Sequence, residues 1–86
     1  MQIKQKAQAG TMQSSDLMVF LEPAATLRIE IESTVKKQFE HLIRQQVESV
    51  LEKAEVTSGH IKINDRGALD YAIIARVEAG LKRACE

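Results

Sequence analysis

The chain has no tryptophan, one proline, one cysteine and no net charge, and each shortage removes a class of protein. A lone Cys85 forms no internal disulfide, which excludes a stapled secreted mini-protein; at the end of the chain it is expected to be an incidental exposed thiol. Twelve Lys and Arg set against twelve Asp and Glu leave no basic excess for neutralising phosphates, so no nucleic-acid partner is expected. Two Phe and one Tyr make a poor stacking surface for bases. No apolar run approaches the ~20 residues that cross a bilayer, and Met1–Lys6 carries no signal-peptide core, so the expected setting is the cytoplasm without a membrane partner. Internal repeats and low-complexity stretches are absent. Eighty-six residues support one modest core with little room for a deep substrate cleft.

What is present is patterned. Residues 1–16 are small and polar, too poor in large side chains for an interior strand, and are expected as an N-terminal arm or edge strand. Leu17–Leu21 is a short apolar run stopped at Pro23 and is expected as a buried strand. Leu27, Ile29 and Ile31 alternate with Arg28, Glu30 and Glu32, the mark of a strand with one wet face, and these two runs are expected to pair as a hairpin. Ser33 or Thr34 is placed to cap a helix whose stripe runs Val35, Phe39, Leu42, Ile43, Val47, Val50, Leu51, Ala54. His60–Asn64 alternates again. After the turn Asp65-Arg66-Gly67, capped by Asn64 or Asp65, a second helix is expected from about Ala68 to Arg83, with Leu69, Ile73, Val77, Leu81 and Ala84 inward and Tyr71 and Ile74 widening that face. Gly80 inside it marks either close packing against the sheet or a frayed end. The order predicts an α+β domain spanning 1–86: a small antiparallel sheet of three to four strands covered on one face by two helices.

Catalytic chemistry is not visible. His41 and His60 have no second ligand at metal spacing and are expected as surface or capping residues, with no metal site. Glu30 and Glu32 pair carboxylates on a strand face that reads as solvated. One glycine, Gly67, at a helix start is explained by a turn as well as by a phosphate cradle. The segment Gly10–Asp16 stands apart: a polar stretch with Ser14 and Ser15 side by side, open to a modifying enzyme, although serine clusters also mark ordinary loops.

The stretches Ala9-Gly10-Thr11-Met12-Gln13-Ser14-Ser15-Asp16-Leu17-Met18, Val35–Phe39, Asn64–Asp70 and Ala75–Ala79 together resemble the acyl carrier (gamma) subunit of citrate lyase, across nearly the whole chain. That family reads Ala-Gly-Thr, two residues, then Ser-Gly-Asp. The resemblance implies that Ser14 is joined by a phosphodiester to 2′-(5″-phosphoribosyl)-3′-dephospho-CoA, whose thiol carries the acyl group. Gly10, Thr11 and Asp16 are then the motif neighbours, and Ser15 stands where the family has glycine, leaving a second hydroxyl one residue away. It further implies a non-catalytic carrier whose partners are the alpha (acyl transferase) and beta (lyase) subunits and a prosthetic-group transferase. The alpha subunit exchanges acetyl for citryl, the beta subunit releases oxaloacetate, and magnesium belongs to the lyase partner. Charge alone marks Lys4, Lys6, Arg66 and Arg76 as residues to meet the group's phosphates. Fatty-acid carriers differ, being acidic helical bundles with Asp-Ser-Leu opening a helix. Two other readings stay open: the related carrier of malonate decarboxylase, and an unmodified α+β interaction module.

Overall fold

A computed structural model describes residues 1–33 and 39–86. Four strands and two helices follow in the order β1 (Ala7–Gly10), β2 (Leu17–Glu22), β3 (Leu27–Ser33), α1 (Glu40–Lys53), β4 (Gly59–Asp65) and α2 (Asp70–Cys85). The strands form one sheet in the order β1-β2-β4-β3. β1 pairs antiparallel with β2 and β2 antiparallel with β4, while β3 pairs parallel with β4. The fold is α+β, as the alternation of periods predicts, and the sheet is mostly antiparallel.

The expected β2–β3 hairpin does not form, because β4 lies between the two runs. A parallel neighbour must be reached by a crossover, and α1 occupies the connection from β3 to β4. Period two identifies a strand and its wet face but says nothing about its neighbour. β3, with Arg28, Glu30 and Glu32, has the charged face that suits an edge. β4 buries every second residue, and Ile61 and Ile63 lie fully inside.

Both helices are amphipathic and cover one sheet face. Ile43, Val47, Val50 and Leu51 of α1 and Ile73, Val77, Leu81 and Ala84 of α2 close over Leu17, Val19, Leu21, Ile61 and Ile63. A single covered face corrects the reading of β2 as buried throughout: Leu17, Val19 and Leu21 point inward, and Phe20 on the other face is exposed. Phe39 and Leu42, expected in the core, flank the buried stripe of α1 and are exposed, as are Leu69, Tyr71 and Ile74 around α2.

Gly80 marks close packing rather than fraying. A Cβ there would stand 2.6 Å from Leu21 Cδ1, so helix and sheet approach within the space that a side chain would need. α2 continues to Cys85, which is half-buried rather than freely exposed. The N-terminal segment is less polar in role than in composition. Ile3 is buried, and Lys4 and Gln5 donate their N–H groups to the Ala84 carbonyl, which ties the arm to the end of α2. Ser33 ends β3 and donates to Asp65 Oδ2 at 2.9 Å, and among the described residues α1 starts at Glu40 with Phe39 as its N-cap. Thr34 and Val35 lie outside the described residues.

Candidate functional site

The β1–β2 connection, Thr11–Asp16, carries the one constellation the motif pointed to. Its entrance requires glycine: Gly10 has φ of 100°, and a Cβ there would collide with the Leu17 carbonyl. That closeness lets the Thr11 N–H donate to the Leu17 carbonyl at 3.0 Å. Thr11 Oγ1 then donates to Asp16 Oδ2 at 2.6 Å and accepts from the Gln13 N–H, so both ends of the loop are braced across its base.

Asp16 is the hub. Its Oδ1 accepts the Leu17 N–H at 2.8 Å and Arg76 Nε at 3.1 Å, and its Oδ2 accepts Arg76 Nη2 at 2.8 Å. This two-point guanidinium pair, reinforced by Thr11, holds the Asp16 carboxyl down to about 2 and raises Arg76 above its ordinary value. Backbone bonds add a second restraint: Ser15 N–H donates to the Arg66 carbonyl at 2.8 Å, and Arg66 N–H to the Asp16 carbonyl at 2.9 Å. Asp65 supports this from below. It is 1% exposed, and its Oδ1 accepts the Ala68 N–H at 3.0 Å, which closes the 65–68 turn rather than capping α2, where Leu69 is the N-cap.

Between these restraints Gln13–Asp16 makes a turn, with Asp16 N–H reaching the Gln13 carbonyl at 3.3 Å. Ser15, third in the turn, has φ of 65°, the conformation that favours glycine. Ser14 precedes it, exposed, and its hydroxyl has no hydrogen-bond partner among the described residues. A bulky group joined to that oxygen displaces no internal contact, so the turn fits a covalently tethered group.

The four cations expected near such a group separate. Arg66 is exposed and abuts the loop through its peptide. Arg76 is committed to Asp16, a role spacing could not reveal across 60 positions. Lys6 pairs with Glu22 at the other end of the β1–β2 ladder, and Lys4 lies in the arm beside Ala84. The histidines lie away from the loop. His41 is exposed on α1. His60, on the open sheet face, is no cap; its Nδ1 stands 3.1 Å from Glu22 Oε1 and its Nε2 3.4 Å from Glu30 Oε2. No cluster of three or more metal-ligating side chains occurs among the described residues. No helix among them is long and apolar enough to cross a membrane.

Over residues 4–84 the chain matches the acyl carrier family described as malonate decarboxylase delta subunit (MdcD). It is 51% identical over 87 residues to the citrate lyase acyl carrier protein of Cronobacter sakazakii, covering all of this chain and 90% of that one. With the protein of the same name from Halothermothrix orenii it shares 44% over 85 residues, 98% of this chain and 90% of the relative. The fold is similar to that of a chain in the crystal structure of a Pseudomonas malonate decarboxylase hetero-tetramer in complex with malonate. There the TM-score is 0.77 at 24% identity, over 95% of this chain and 86% of the other.

Proposed function

The chain belongs to the citrate lyase acyl carrier protein family, and from that membership we propose that it is the acyl carrier subunit of a cytoplasmic citrate lyase, with Ser14 as the attachment point of its prosthetic group. A carrier of this kind is not itself an enzyme: it supplies an anchor and a recognisable surface, while enzyme subunits supply the acid, the base and the metal. The proposed group is phosphoribosyl-dephospho-coenzyme A, and the proposed partners are the alpha acyl transferase, the beta lyase and the transferase that installs the group. When bound, the group supplies a terminal thiol that carries acyl chains between active sites. Tethering replaces diffusion by a high local concentration at each partner.

The residues of this chain do the holding. Gly10 admits the turn, Thr11 and Asp16 brace its base, Arg76 anchors Asp16 to α2, and the Arg66 peptide fixes Ser15. Both serines are exposed, so what supports Ser14 over Ser15 is its position in the motif, with Ser15 in the place of the motif's glycine and holding the φ of 65° that glycine favours. The observation that carries the reading is the full-length identity to citrate lyase carriers. The family description favours a second reading, a malonate decarboxylase carrier, which differs in the acid its partner subunits accept.

Intact-mass spectrometry of protein made in a host with the modifying enzymes tests the site. We expect a dephospho-coenzyme A-type adduct that is absent in Ser14→Ala and retained in Ser15→Ala. The opposite pattern would move the site, and no adduct in any host would leave an unmodified interaction module. Cleavage of citrate rather than malonate by the assembled complex separates the two carrier readings.

A further inference from the structure

The two edges of the sheet are not alike. β1 is four residues long, and Arg83 Nη1 donates to the Gln8 carbonyl at 2.7 Å, occupying an outer acceptor of that edge. β3 is seven residues long and among the described residues pairs with β4 alone. The Thr26 carbonyl accepts from the Gly59 N–H at 3.2 Å. Peptide direction alternates along a strand, so Arg28, Glu30 and Glu32 turn their peptides to β4, and Leu27, Ile29 and Ile31 turn theirs to the free edge.

The apolar side of β3 is also the least covered in the sheet. On β2 and β4 the inward residues are buried throughout, whereas Ile29 and Ile31 are half-buried and Leu27 is 41% exposed. Beside this stripe runs an open groove along α1, with Leu27, Ile29 and Leu51 in it and Glu48, Glu52 and Glu55 on its rim. Among the described residues Arg44 is the one cation lining it.

We propose that the β3 edge and this acidic groove are the docking site for an extended segment of an enzyme-subunit partner, bearing alternating apolar and basic side chains, which adds to the sheet as a fifth strand. The inference rests on the carrier reading, since a carrier has enzyme partners to meet. Free peptide groups give the added strand its backbone bonds, the uncovered stripe gives it an apolar face, and the glutamates select its charge. Charge also chooses among occupants. A second copy of this chain paired at β3 would bring two glutamate rims to flank one apolar strip, and like charges at that spacing repel. β3 ends at Ser33 against Asp65, one residue from the Arg66 peptide that holds the Ser14 turn, so a strand laid along it runs toward the attachment loop.

Hydrogen–deuterium exchange of the full-length carrier, alone and with purified enzyme subunits, reads the edge directly. We expect exchange over residues 27–33 to slow by about tenfold or more in the complex. The double charge reversal Glu48→Lys with Glu52→Lys, on an exposed helix face, should weaken binding by about tenfold, most strongly at low salt. Ile29→Pro removes one outward N–H without touching the β4 ladder; with native circular dichroism retained, it too should weaken binding. Unchanged exchange over β3 in a formed complex, or unchanged affinity in the charge-reversal variant, overturns the proposal. Protection that grows with carrier concentration alone would assign the edge to a second copy. Failure of the carrier reading is separate and shows as absence of the mass adduct.

Discussion

Ser15 holds φ of 65°, which a residue with a Cβ adopts at a cost of about 1 kcal/mol. Glycine takes that conformation freely but gains entropy when unfolded, so part of the relief is returned. Ser15→Gly should therefore stabilise the protein by about 0.5 kcal/mol, a rise of a few degrees in Tm by calorimetry. The neighbouring Asp16 sets an acid limit. Its carboxyl lies at about 2 in the folded chain against an ordinary 3.8, so its contribution is complete above pH 4 and is lost as pH falls toward 2. Arg76 is partly exposed and salt screens the pair, which limits that contribution to about 1 kcal/mol. In Asp16→Asn the chain should be less stable at neutral pH. Its stability should also fall less between pH 4 and pH 2 than that of the unaltered chain, measured by urea titration. Equal slopes would mean that the Arg76 clamp contributes nothing.

Among the elements, α2 carries two opposed requirements at Gly80. Alanine would recover about 1 kcal/mol of helix propensity, but its methyl would meet Leu21 Cδ1 in the core. The obstacle is the end of a side chain that can turn aside, not backbone, so the two effects should nearly offset. Chemical denaturation of Gly80→Ala should give a change within about 1 kcal/mol of zero. The same helix illustrates what could be read beforehand. Ile73, Val77, Leu81 and Ala84 announced its buried face, because period and burial share a cause. Tyr71 and Ile74 lie on its flank and are exposed; hydrophobicity does not say where a neighbouring helix ends. Phe20 failed for a related reason: a run of apolar residues does not reveal that only one sheet face is covered. At the loop, the motif marked Gly10, Thr11, Ser14 and Asp16, while the Asp16–Arg76 pair was illegible because nothing local links positions 60 residues apart.

The molecule as a whole is tied together by β4, the last strand to be made and one of the two interior strands of the sheet. β2 and β3 follow each other in the chain but meet only through it. The brace on the Ser14 turn depends on the same strand, since the Arg66 peptide that receives Ser15 comes directly after Asp65. A chain ending at Thr57 therefore has no completed sheet and no held turn, and should show neither a cooperative melt nor a native circular dichroism spectrum. For biosynthesis this means that the attachment turn is fully braced only after β4 and part of α2 have been made, because its later supports are supplied by the Arg66 peptide and the Arg76 side chain. A transferase that recognises the braced turn would thus be inspecting folding as well as sequence. It should load the folded carrier and leave the 1–57 fragment unmodified, although both contain the same serine; equal loading of the two would show that it reads the peptide alone.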